Sequence, residues 1–434
     1  MTNEVATLFL AFQFVIRSFT VLMKNMFSKI RFLVPFIALI ACGEKKSGQI
    51  DKENSTPTPG TFAYDVAFIK SYKEILVLGT KRSPAKVLIV GDYQGRVLTS
   101  TANGNEGNSY GWINYDLIRS GDVKPHMNPY GGEDRFWLGP EGGQYGLFFK
   151  KGDPFDFDHW QTPAMLDTES FDLVSADTAQ ATFKRSGVVT NFLGTSFHLD
   201  IRRQIQLLEP IDIENEFGFS LNGLKAVSFQ SINSITNTGD DWNKKNGLLS
   251  IWILGMFNPS KETVIILPHE KSTNATTVTD NYFGTIPSDR IIKADNLLAL
   301  KGDGTFRGKV GIAPSIAKNV VGSYDPNKHI LTIVKFDLDK TGLYANSKWE
   351  TQKEPFMGDA VNSYNDGPQT DGSQLGPFYE LESSSPVREL RKGETLVHRH
   401  VTLHVEGDEE RLNQLAKKSL GVELRGIRDA FVVK

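Results

Sequence analysis

From about residue 75 to residue 405 one pattern recurs. Short runs of β-branched, leucine and aromatic residues alternate with Gly, Asn, Asp or Pro. Runs of this length, punctuated by turn formers, predict strands. The runs are Ile75–Leu78, Val87–Val90, Thr182–Phe183 leading into Val188–Val189, His198–Leu208, Ile211–Phe219 and Ala226–Ile235. They continue with Leu248–Met256, Thr263–Leu267, His329–Phe336, Phe378–Leu381 and Leu396–Val405. One segment, GDEERLNQLAKKSLG, predicts a helix instead. Asp408 is placed to cap it, and Leu412, Leu415, Ala416 and Leu420 share a face. Lys417 and Lys418 suit its negative end, and Gly421 stops it. No repeat of fixed period is present, and no second linker interrupts the strand signals after residue 62. The expected fold is mostly β: a large antiparallel supersandwich of layered sheets with a short C-terminal helix, spanning residues 62–434 as one domain. Two sandwiches divided near residue 180 are the alternative.

Composition fits a packed β protein. Of 434 residues, 39% are hydrophobic and 11% aromatic, with 28 phenylalanines, which suffices for a core and argues against wholesale disorder. The net charge of -3 speaks against nucleic acid as a partner, because a phosphate backbone calls for a basic face.

The single cysteine changes the picture at the N-terminus. Lys24, Lys29 and Arg31 precede the apolar run Phe32–Ala41, which is too short to span a bilayer. Leu39-Ile40-Ala41-Cys42 then resembles a bacterial lipobox, in which the cysteine is acylated and becomes the new terminus. Residues 1–42 are therefore expected to be a signal region, with 1–22 either an over-long start or an extension of it. Residues 43–61, polar and carrying Pro57 and Pro59, read as a flexible tether. These features predict a lipid-anchored protein of a Gram-negative envelope, held to the membrane through Cys42 and without disulfides.

Several polar clusters carry candidate chemistry. Residues 131–146, GGEDRFWLGPEGGQYG, set Arg135, Trp137 and Glu141 among six glycines. The stretch lacks the Gly-Lys-Ser/Thr ending of a phosphate loop. In FYELESSSP, Glu380 and Glu382 fall on one face of a strand, where paired acids raise one pKa toward neutrality. GDAVNSYNDGP supplies Asn362, Tyr364, Asn365 and Asp366. Amides, acids and aromatic rings together suit a sugar, whose hydroxyls need donors and acceptors and whose C–H face suits a ring. In HRHVTLH, His398, His400 and His404 share a strand face. At about 3.3 Å per residue the outer two lie about 20 Å apart, so one ion cannot touch all three. No cofactor is expected, with a metal ion in the cleft left open.

The order of these segments resembles the galactose-mutarotase-like superfamily. AKVLIVGDYQGRVLTS resembles its opening strand pair, GGEDRFWLGPEGG its Gly-Gly…Trp…Pro segment, and FHLDIRRQIQLLEPIDIENEF its central strands. FYELESSSPVRELRKGET resembles its C-terminal strand. Together with VNSYNDGP the order is similar, more narrowly, to an uncharacterised family of Bacteroidetes-type lipoproteins. The resemblance implies a β-supersandwich and a carbohydrate ligand, bound or processed, with epimerisation or mutarotation by a glutamate base as the enzymatic form. A non-catalytic glycan-binding lipoprotein is the alternative. In the enzymatic form the resemblance makes Glu382 the base, or Glu380 in the other register, and places Arg135 and Trp137 in the cleft. The family's histidine is expected in NGLLSIWILGMFNP, where Trp252 stands instead. No histidine occurs between His198 and His269. His126 is then the candidate acid.

Overall fold

The computed structural model describes residues 56–80, 82–272, 277–369 and 371–432. The expected signal region and Cys42 lie outside the described residues. Two large antiparallel sheets dominate. One has ten strands in the order Ile291–Ala294, Leu297–Lys301, Val264–Pro268, Val320–Asp325, Ile330–Phe336, Thr395–Glu406, Lys225–Asn237, Ser196–Leu207, Gln180–Thr190 and Asp172–Ala176. The other has six, in the order Val278–Thr279, Gly308–Ile312, Val361–Asn365, Tyr379–Ser384, Ser250–Phe257 and Arg135–Gly139. A three-stranded sheet, Leu76–Gly79, Lys86–Val90 and Arg96–Thr101, flanks them.

Alternation along each strand decides what lies between the sheets. Ile201, Ile205, Phe229 and Ile235 of the ten-stranded sheet share one core with Phe136, Leu138, Ile251 and Ile253 of the six-stranded sheet. The opposite face of the large sheet is covered by the C-terminal helices. Leu331, Ile333, Val401, Leu403 and Val405 pack there against Leu412, Leu415, Ala416 and Leu420. The layered antiparallel β architecture expected from the sequence is therefore the one observed.

The helix predicted near the C-terminus spans Glu409–Ser419, and the Asp408 side chain accepts from the Arg411 N–H as its cap. A second helix, Leu424–Val432, follows it. Ile211–Phe219, expected as a strand, is a helix over Pro210–Phe217. Proline fits the first turn of a helix, Ile213 and Phe217 bury on one face, and Gly218 ends it in a left-handed conformation. The alternation Ile211, Ile213 mimicked a strand, but Ile211 is exposed. The segment from Phe62 likewise opens as a helix, Phe62–Lys70, capped by Thr61.

A polar seam runs through the interior between the two large sheets. Ser383 Oγ lies 2.8 Å from His398 Nε2 and 2.9 Å from His400 Nδ1. His404 Nε2 lies 2.9 Å from Glu133 Oε2, and Asp134 pairs with Arg203 and accepts from Ser231 Oγ at 2.8 Å. All of these groups are buried. The three histidines share a face as predicted, but that face is internal. Among the described residues no group of three or more His, Cys, Asp or Glu side chains is arranged to hold a metal ion.

Candidate functional site

The outward face of the six-stranded sheet is polar and aromatic, and cross-strand register explains how it is assembled. Lys309, Tyr364, Glu380 and Met256 stand opposite one another in one row. Asn362, Glu382, Leu254 and Arg135 form the next, and Trp252 opposes Trp137 in a third. Residues directly opposite in an antiparallel ladder share a face, so these rows make one floor. Glu380 and Glu382 occupy it because they are two apart on one strand, as the sequence predicted.

Three partners organise the two carboxyl groups. Arg135 Nη2 donates to Glu380 Oε1 at 2.8 Å. Lys309 Nζ and Trp252 Nε1 both donate to Glu382 Oε2, at 3.0 and 2.9 Å. Each cation also lies on an indole: the Arg135 guanidinium 4.3 Å from the Trp137 ring centre, the Lys309 ammonium 4.5 Å from that of Trp252. Such contacts are worth about 2 kcal/mol or more when desolvated. Burial pushes the Glu380 carboxyl up to about 8, with Arg135 opposing the rise and Glu382 adding to it. Burial works against the Lys309 ammonium, yet Glu382, Glu141 and Glu380 hold its pKa above the usual lysine value.

Three buried polar atoms on this floor have no hydrogen-bond partner among the described residues: Arg135 Nε, Trp137 Nε1 and Glu382 Oε1. Native interiors pair nearly all such atoms, so three together set this floor apart from the rest of the interior.

Above the floor lies an open cavity of about 550 Å³, walled by Glu141, Phe157, Trp160, Phe283, Arg307 and Trp349. The glycine-rich stretch builds part of this wall. A Cβ on Gly142 would stand 2.6 Å from the Lys348 carbonyl oxygen, and Gly143 adopts a positive φ of 78° against Gln352. Only glycine lets the loop lie flat against the segment that carries Trp349. Glu141 is half-buried on this wall. Burial raises its carboxyl, and Lys309 opposes the rise. Its charge partner is thus Lys309, while Arg135 pairs with Glu380.

The remaining sequence candidates have distinct places. Asn362 is on the floor, donating to the Val310 carbonyl at 3.2 Å and lying 3.4 Å from the Tyr282 hydroxyl. Tyr364 lines the cavity and donates to Asp366 at 2.5 Å. Asn365 and Asp366 instead brace loops: Asn365 accepts from Gly304 N–H and donates to the Phe306 carbonyl, and Asp366 accepts from Gly376 N–H. His126 lines a neighbouring cavity, with its Nδ1 2.6 Å from the Trp160 carbonyl oxygen. The structure does not bring it to the carboxyl pair. Trp137, expected to offer a stacking face, has Arg135 on that ring and Trp252 edge-on at 5.5 Å.

Sequence reasoning missed Lys309, Arg307, Trp160, Phe157 and Phe283. The signal for Lys309 was a lone cation in the strand Gly308–Ile312, whose other residues are small or apolar. It also missed Tyr282, whose hydroxyl donates to Asp359 at 2.6 Å beside the floor.

A family model matches residues 60–431. The chain belongs to DUF6786, a family of unknown function. No curated protein matches it. Among solved structures, this DUF6786 member is similar to the Slr1438 protein of Synechocystis sp. PCC 6803, at 12% identity and a TM-score of 0.48 over 77% of this chain and 96% of that one. A putative aldose 1-epimerase from Escherichia coli K12 is similar at 11% identity and a TM-score of 0.46, over 77% and 100%. A galactose mutarotase related enzyme from Lactobacillus acidophilus is similar at 12% identity and a TM-score of 0.43, over 76% and 97%.

Proposed function

We propose that the cleft over the six-stranded sheet binds a carbohydrate and exchanges protons with it through Glu380 and Glu382. The observation that carries this reading is the carboxyl pair itself. Two acids sit side by side on a floor of tryptophans, each with a different cationic partner, and one has a pKa near 8. Groups whose environments differ in this way divide acid and base roles. Glu380, protonated near neutrality, donates to a sugar ring oxygen. Glu382, through the oxygen that has no partner, takes the proton of the anomeric hydroxyl. The C1–O5 bond then breaks, a C1 carbonyl forms, and reclosure on either face gives mutarotation. Among the described residues no histidine lines this cavity, and the second carboxyl fills the acid role that the sequence assigned to His126.

Polarimetry of freshly dissolved α-D-glucose and α-D-galactose tests the reaction. Added protein is expected to speed the decay of optical rotation, and Glu382→Gln to abolish the acceleration. A second reading, a glycan-binding protein without catalysis, is favoured by the ion pairs that already engage both carboxyl groups. Unchanged rotation together with thermal stabilisation by sugars would select it. Silence across a broad glycan panel would remove both.

We also propose that the chain is an envelope lipoprotein attached through acylated Cys42. The support is the order of basic flank, apolar run and Leu-Ile-Ala-Cys in the sequence. Cys42→Ala should abolish labelling by an alkyne fatty acid and move the protein out of the membrane fraction.

A further inference from the structure

The cavity that Glu380 lines is the middle one of three that share walls. On one side Phe157, Trp160, Met127 and Leu375 separate it from a cavity of about 660 Å³. On the other side Glu141, Lys309, Phe283 and Trp349 separate it from one of about 730 Å³.

The walls between compartments form a continuous band of rings. Phe157 and Trp160 have centroids 6.0 Å apart, Trp160 and Trp349 5.9 Å, and Trp349 and Phe283 6.5 Å. Trp160 is buried in the middle of this band. Its two end members are not: Phe157 is 38% and Phe283 37% exposed, one at each outer compartment. An exposed aromatic ring at either end of a groove offers apolar surface to the C–H face of a sugar, at Phe283 together with the Arg307 guanidinium that lies 4.0 Å from the ring centre. Polar side chains accompany each ring, with Lys124, His126 and Gln374 at the first end and Asn281, Ser347 and Lys348 at the second. They supply the donors and acceptors that sugar hydroxyls require. A single monosaccharide on the carboxyl pair would leave both ends unused.

We propose that the cleft takes a linear glycan of at least three sugar units. The middle unit lies over Glu380 and Glu382, and the flanking units rest on Phe157 and Phe283. The proposal rests on the carbohydrate reading above and extends it to substrate length. It also gives His126 a place, as a contact to an outer sugar.

Calorimetric titration with size ladders tests it. The probes are mono- to tetrasaccharides of the cello-, xylo-, malto- and oligogalacturonate series, measured on the wild type and on Phe157→Ala and Phe283→Ala. In a series that binds, affinity is expected to rise at least about ten-fold from mono- to trisaccharide, and each variant to weaken the trisaccharide about ten-fold more than the monosaccharide, a stacking contribution of ordinary size. Both side chains are partly exposed, so the variants should fold, and circular dichroism melts check this. A monosaccharide that binds as tightly as its trisaccharide overturns the proposal while leaving the carbohydrate reading intact. So does trisaccharide binding that neither variant weakens. Absence of binding by every member of every ladder overturns the carbohydrate reading and the proposal with it.

Discussion

Arg135 and Glu380 are 245 positions apart in sequence, yet their side chains meet at 2.8 Å with almost no exposure to solvent. Register makes this contact possible. The strand Ser250–Phe257 lies between their strands and pairs with both. Arg135 sits in the row of Glu382 and reaches diagonally to Glu380. The arrangement leaves Glu382 to Lys309 and Trp252, so each acid has its own cation.

Breaking one side of this pair should be costly. Arg135→Met leaves the buried Glu380 carboxyl without its donor. Glu380 is already largely protonated at pH 7, so the expected cost there is that of a lost buried hydrogen bond, about 1–3 kcal/mol. Arg135→Met combined with Glu380→Leu should recover much of it. Urea denaturation of the four proteins of this double-mutant cycle measures the coupling.

The pH dependence of stability has an unusual sign on its alkaline side. The folded pKa of Glu380, about 8, lies above the ordinary glutamate value of 4.5. Between those pH values the folded state holds more protons than the unfolded state. Stability from this group is therefore full below about 4.5 and is lost as pH rises through about 8. Glu380→Gln should flatten the fall in urea midpoint between pH 5 and 8. An equally steep fall in the variant would show that another group causes it.

On the acid side the interior histidines act in the opposite direction. Burial lowers His398 to about 3 and His400 to about 4, from 6.5. Depressed folded values mean that the unfolded chain binds protons first, so stability drops as pH falls from about 6.5 toward 4. His400→Gln, which keeps a polar group near Ser383, should reduce the steepness of acid unfolding measured by circular dichroism. This holds whatever the cleft binds, because the histidines face the core.

Trp252 is expected to link stability to the site. Its indole N–H donates to Glu382, and its ring lies beneath the Lys309 ammonium. Trp252→Phe keeps a ring for Lys309 but removes the donor, at a cost of about 1–3 kcal/mol. With Glu382 as the base, the variant should also slow mutarotation measured by polarimetry. A change in stability with an unchanged rate would confine Trp252 to a structural role.

Gly142→Ala probes the wall. The added methyl would stand 2.6 Å from the Lys348 carbonyl and 2.9 Å from Trp349. Either the loop or the Trp349 segment must move, at about 1–3 kcal/mol. Near-ultraviolet circular dichroism, sensitive to packed tryptophans, should change, while the far-ultraviolet spectrum should not.

Strand-forming runs, the helix capped by Asp408 and the shared face of Glu380 and Glu382 were all legible in the sequence, because each depends on spacing within one segment. Local periodicity also set its own limits. Ile211 and Ile213 alternate as in a strand, but Pro210 and the i,i+4 pair Ile213 and Phe217 make a helix. Tertiary structure alone decided which acid meets which cation, since strand pairing over hundreds of residues brings Arg135 to Glu380 and Lys309 to Glu382. It alone decided that Glu133 and Asp134 turn inward while Arg135 and Trp137 turn out, and that His398, His400 and His404 face the core. The physical reason is that alternation shows which residues share a face, whereas only the packing of a second sheet against one side determines which face is buried.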